Sequence, residues 1–65
     1  MLRNTLKVQR AMKNLTQEQL ANLLGVSRQT INSIEKNRYV PSTELALKLS
    51  KVFGVPVNDL FELEE

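Results

Sequence analysis

The stretch Thr16-Gln17-Glu18-Gln19-Leu20-Ala21-Asn22-Leu23-Leu24-Gly25-Val26-Ser27-Arg28-Gln29-Thr30-Ile31-Asn32-Ser33-Ile34-Glu35-Lys36 decides the fold. Thr16 followed three residues later by Gln19 is a capping box, in which each side chain satisfies a backbone N–H of the other. Leu20, Ala21, Leu23 and Leu24 give the helix that follows its buried stripe. Gly25 supplies the positive φ of a tight turn, and Ser27 is the N-cap of a second helix, Ser27–Lys36. There Ile31 and Ile34 share a face with Val26. Arg28, Asn32 and Lys36, at i, i+4 and i+8, lie on the other face with Gln29 and Ser33 beside them.

Working outward, the first helix is expected from about Arg3 to Lys13, with Asn14 as a left-handed stop. Val8, Ala11, Met12 and Leu15 form one stripe on it, while Leu2 and Leu6 point elsewhere, so periodicity alone leaves its buried face open. A loop from Asn37 to Pro41 leads to a fourth helix capped by Ser42 or Thr43. Its stripe is Leu45, Leu49, Val52 and Phe53, and Gly54 ends it. After Val55-Pro56, the segment Val57–Phe61 has room for one short final turn. No alternating run is long enough for a strand. The chain therefore reads as a single all-α domain over residues 1–65, five short helices with a helix-turn-helix at residues 17–36. A small Ala21 lets the second helix of that motif approach closely, and its outward polar face is the kind that enters a DNA major groove.

Sixty-five residues of 7.4 kDa leave room for one domain and a thin core. Cys and His are both absent, which excludes disulfide staples, thiolate nucleophiles, imidazole bases and the common zinc sites. Ser27, Ser33 and Ser50 have no His partner, and no Gly-rich phosphate loop is present, so no enzyme activity is expected. Asp59, Glu62, Glu64 and Glu65 read as a solvated acidic tail rather than a cation site, because no loop fixes their geometry. No cofactor, metal or small-molecule effector is expected. The longest apolar stretch, Leu23–Val26, is far below the ~20 residues of a membrane span. Met1-Leu2-Arg3-Asn4 lacks an apolar signal region; a cytoplasmic, nucleoid-associated location follows as an expectation.

The net charge is +2, with a pI near 9.3. Residues 1–40 carry Arg3, Lys7, Arg10, Lys13, Arg28, Lys36 and Arg38 against Glu18 and Glu35, a surplus of five positive charges. Residues 41–65 set Lys48 and Lys51 against Glu44, Asp59, Glu62, Glu64 and Glu65, a surplus of three negative. That asymmetry fits a nucleic-acid-facing front and an acidic back, though charged solvent faces alone also produce it.

Arg10, Leu15–Ala21, Leu24–Ser27, Ile31, Ile34-Glu35, Pro41-Ser42, Leu45, Leu49, Phe53–Val55 and Leu60-Phe61 together resemble the phage-repressor and Cro-like helix-turn-helix proteins, the XRE family. The resemblance spans essentially the whole chain and implies a lambda-repressor-like domain. It also implies a transcriptional regulator, acting as a dimeric repressor on an inverted-repeat operator in double-stranded DNA. By position, Ser27, Arg28, Gln29, Asn32 and Ser33 match base-reading residues, with Asn32 also able to hold a phosphate. Arg28 suits a guanine edge and Gln29 an adenine edge. Gln17, Thr30, Lys36, Asn37, Arg38 and Tyr39 match backbone contacts, with Tyr39 equally able to pack on the loop. An inward ion pair of Arg10 with Glu35 is implied, which turns Met12 outward. Gln9 and Pro56 depart from the family pattern, at an aliphatic core position and a polar cap respectively. Leu47, Val57, Leu60, Phe61 and Leu63 exceed what a thin core absorbs and are assigned to a homodimer surface. A protein-interaction module, such as an antitoxin-like or anti-regulator partner, is the competing reading.

Overall fold

The computed structural model describes residues 2–64; Glu65 of the acidic tail and Met1 lie outside them. Five helices are present among the described residues: α1 Leu6–Met12, α2 Gln17–Leu24, α3 Arg28–Glu35, α4 Thr43–Phe53 and α5 Val57–Leu60. They are joined by a feature absent from the all-α expectation. Strands β1 (Leu2–Asn4) and β2 (Phe61–Leu63) pair antiparallel, with Leu2 opposite Leu63, Arg3 opposite Glu62 and Asn4 opposite Phe61. Three residues per strand are too few for a period-2 pattern to register. The expected start of the first helix at Arg3 is corrected accordingly. Arg3 lies in β1, where it forms an exposed ion pair with Glu62 at 3.3 Å. Asn4 Oδ1 accepts from the Leu6 N–H at 3.1 Å, and helix begins only there.

Local chemistry accounts for the helix ends. Thr16 Oγ1 accepts from the Gln19 N–H at 3.0 Å while Gln19 Oε1 accepts from the Thr16 N–H at 2.8 Å, closing the capping box. Ser27 and Ser42 cap α3 and α4 by accepting from Thr30 and Leu45. Each of the first four helices is followed by a left-handed residue: Asn14, Gly25, Asn37 and Gly54. The next N–H then reaches back five residues, as Leu15 to Arg10, Val26 to Ala21, Arg38 to Ser33 and Val55 to Ser50. These Schellman-type bonds close the last turn of each helix. Pro56 precedes α5 without a side-chain cap. The short helix is held instead by Thr5, whose N–H and hydroxyl donate to the carbonyls of Leu60 and Asp59.

The core consists of Leu6, Leu20, Ala21, Leu24, Ile31, Ile34, Leu45, Leu49, Phe53 and Leu60. In α1, Leu6 faces inward and Val8 and Met12 face solvent, which settles the face that periodicity left open. Two expectations are corrected. Leu23 belongs to the apolar run of α2 but is 61% exposed, at the edge of the face on which Leu20, Ala21 and Leu24 are buried. Leu60 is fully buried, sealed beneath the junction of α5 with the ribbon, and is not available to a partner surface.

Candidate nucleic-acid interface

Ile31 and Ile34 anchor α3 in the core, and the helical repeat then turns Arg28, Gln29, Asn32, Ser33 and Lys36 away from it. These side chains line two polar clefts, one on either flank of the helix. Gln17, Arg28, Gln29, Asn32 and Lys36 line the first. Ser27, Gln29, Thr30, Asn32, Ser33, Arg38 and Tyr39 line the second. Arg28 and Gln29 are exposed, whereas the hydroxyls of Ser27 and Thr30 share a hydrogen bond at 2.9 Å. Asn32 is half-buried and borders both clefts.

Asn37 is the exception. Its left-handed backbone terminates α3, and its Oδ1 accepts from Asn4 Nδ2 at 2.9 Å. Asn4 Nδ2 also donates to the Ile34 carbonyl at 2.9 Å. The side chain of Asn37 thus ties the loop to β1 instead of lining the clefts. Asn4 itself was not singled out by sequence reasoning. The partners of its Nδ2 lie thirty or more residues away, and no local pattern announces such a contact.

Behind α3 lies an ordered polar chain. Arg10 Nε donates to Glu35 Oε2 at 2.8 Å and Arg10 Nη2 to Glu35 Oε1 at 3.2 Å, while Arg10 Nη1 donates to the Leu15 carbonyl at 2.8 Å. The pair is largely withdrawn from solvent, with side-chain exposures of 15% and 7%. The Arg10 guanidinium is held above its usual pKa, chiefly by the hydrogen bond to Glu35 and further by its charge. Desolvation acts in the opposite sense. Gln17 Nε2 then donates to Glu35 Oε1 at 3.2 Å and to Asn32 Oδ1 at 3.3 Å. The cation at Arg10 is therefore linked, through Glu35 and Gln17, to a side chain on the outer face of α3.

On another side, Leu2, Val40, Pro41, Thr43, Ala46, Leu47, Val57 and Phe61 line an open apolar groove. Val40, Leu47 and Leu63 are 69%, 59% and 76% exposed. Of the residues assigned to a partner surface, Leu47, Val57 and Phe61 fall in this groove, and Leu63 sits opposite Leu2 on the ribbon. Leu2 and Val40 join them only through the tertiary fold. The loop after α3 connects the two surfaces, since Arg38 and Tyr39 line a polar cleft and Val40 and Pro41 line the apolar groove.

Among the described residues no group of acidic side chains is placed to hold a metal ion. No helix among them is long and apolar enough to cross a membrane.

A capped helix, a left-handed glycine turn and a second helix with a polar outer face define a helix-turn-helix protein. Residues 6–60 match the helix-turn-helix family model, and the chain belongs to this XRE-type family. It is 56% identical over 64 residues to the uncharacterized HTH-type transcriptional regulator MJ0272 of Methanocaldococcus jannaschii, covering 98% of this chain and 97% of that one. It is 39% identical to the cryptic phage CTXphi transcriptional repressor RstR of Vibrio cholerae, covering 78% of this chain and 46% of the repressor. The crystal structure of a protein of Bacteroides fragilis assigned as DNA-binding superposes with a TM-score of 0.84 at 31% identity. That match covers 95% of this chain and all of the other. The fold and the relatives are those of helix-turn-helix regulators, not of enzymes.

Proposed function

We propose that the chain is a cytoplasmic, sequence-specific repressor that binds double-stranded DNA as a homodimer, placing α3 of each copy in successive major grooves of an inverted repeat. The observation that carries this reading is the outer face of α3. Ser27, Arg28, Gln29, Asn32 and Ser33 stand together there, on a helix braced from behind by Arg10, Glu35 and Gln17. Arg28 presents donors suited to guanine O6 and N7, and Gln29 has the donor and acceptor that adenine presents in reverse. Gln17, Thr30, Lys36, Arg38 and Tyr39 border the same clefts, where they supply phosphate contacts that set register. With its side chain engaged by Asn4, Asn37 serves mainly to aim Lys36 and Arg38.

One recognition helix per copy is too little for specificity against a genome of competing sites. A two-fold dimer doubles the readout and separates the half-sites by about one helical turn. The groove bounded by Leu47, Val57 and Phe61, flanked by Leu63, supplies a self-complementary apolar surface for it. Its link to the clefts through residues 38–41 supports a dimer that fixes the spacing of the two α3 helices. Repression then follows sterically, by exclusion of polymerase from the occupied site.

Selection of bound duplexes from a random pool near physiological salt tests this. Enrichment of an inverted repeat, with affinity falling ~10³-fold or more between 50 and 200 mM salt for six phosphate contacts, is expected. Absence of enrichment, together with salt-indifferent capture of a protein partner, overturns the reading in favour of an interaction module.

A further inference from the structure

We infer that the part-buried Arg10–Glu35 pair sets the hydrogen-bonding sense of Asn32, so that Asn32 offers DNA its amide donors and demands an acceptor on the base beneath it. The inference rests on the DNA-reading role proposed for α3. An amide side chain presents an oxygen or an NH2 group depending on which way round it sits, and shape alone barely distinguishes the two. Here the choice is made by charge. Arg10 has only donors and gives two of them to the Glu35 carboxylate, which has only acceptors. Glu35 Oε1 therefore requires the NH2 of Gln17, at 3.2 Å. That same NH2 reaches Asn32 at 3.3 Å and requires its oxygen. With Oδ1 turned toward Gln17, Asn32 Nδ2 is left for the groove face.

In the major groove, purine N7, guanine O6 and thymine O4 accept, whereas cytosine presents only its N4 donor. Cytosine under Asn32 brings two donors together and leaves one unpaired. Discrimination against it is expected at about five- to a hundredfold. Glu35, Gln17 and Arg10 touch no base in this scheme; they are positioning residues acting through Asn32.

The test is duplex selection with the full chain, comparing wild type, Asn32→Ala, Glu35→Gln and Gln17→Ala, each checked for helical circular dichroism. Wild type is expected to deplete cytosine at one position per half-site. Asn32→Ala removes that depletion while leaving the position read by Arg28 intact. Glu35→Gln replaces one acceptor by a donor at nearly constant shape, which lets Gln17 and Asn32 turn over. It is expected to abolish the depletion, or to invert it toward bases with an exocyclic amine. A loss of stability alone would weaken all positions together and leave the relative preferences unmoved. If Glu35→Gln does not fold, Gln17→Ala carries the same expectation of a lost depletion. A wild-type site that tolerates cytosine everywhere, or an Asn32→Ala site identical to wild type at every position, overturns the inference while leaving DNA binding intact. No enriched duplex at all for wild type overturns the DNA-reading role itself.

Discussion

Replacing Arg10 by Met keeps the length of the side chain and removes its charge, which isolates what the buried pair contributes. Glu35 is only 7% exposed at its side chain and accepts from Arg10 twice and from Gln17 once. The variant loses two of these three bonds and leaves a carboxylate without its cation in a site largely withdrawn from water. The Leu15 carbonyl loses its partner as well. Removing one member of a buried pair typically costs about 3–5 kcal/mol, because the remaining charge is uncompensated. A chain of 65 residues has about 3–10 kcal/mol of stability in all. The single variant should therefore stand close to the unfolding threshold at 25 °C. With an m-value of about 1 kcal/mol/M for so small a domain, its urea midpoint should fall by roughly 3–5 M. The assay is urea unfolding followed by circular dichroism at 222 nm, at one fixed protein concentration because dimerisation adds to apparent stability. The double variant Arg10→Met, Glu35→Leu removes both charges together and should recover most of the loss, since an apolar replacement of a buried pair is often neutral or better. A single-variant loss below ~1 kcal/mol, the size of a surface pair, would refute the argument. So would a double variant no more stable than the single one.

Other perturbations separate the surfaces. Leu47→Glu and Leu63→Glu should give folded monomers in sedimentation with weakened operator binding, whereas Leu60→Glu, at a fully buried position, should abolish the cooperative melt. Asn37→Ala forces a Cβ-bearing residue with φ near 59° to do without the local bonds that Asn offers and also removes the acceptor for Asn4. About 1–2 kcal/mol should be lost by denaturant titration, and Asn37→Gly should recover the backbone part. Arg28→Ala should cost ~1–3 kcal/mol per half-site on the selected operator and relax one position in each. Lys36→Ala, by contrast, should weaken all sequences evenly and lower the salt slope by about one per half-site, both read by fluorescence anisotropy.

The parts of the structure legible in the sequence are those fixed over three to five residues. The capping box of Thr16 and Gln19, the caps at Ser27 and Ser42, and the left-handed stops at Asn14, Gly25 and Gly54 each depend on neighbours within one turn. Likewise, the 3.6-residue repeat placed Ile31 and Ile34 inward and left the polar face of α3 outward. Tertiary structure decided what depends on residues far apart in the chain. The ribbon joins residues 2–4 to 61–63, and neither strand is long enough to show its period alone. Leu23, Leu60 and Leu63 are chemically alike, yet one apolar run left Leu23 outside while a four-residue helix and a ribbon put Leu60 inside and Leu63 outside. Helical periodicity cannot separate them, because burial depends on which element lies opposite. The sense of Asn32 has the same origin: it comes from a charge at Arg10, twenty-two positions earlier in the sequence, delivered through side chains that only the folded chain brings together.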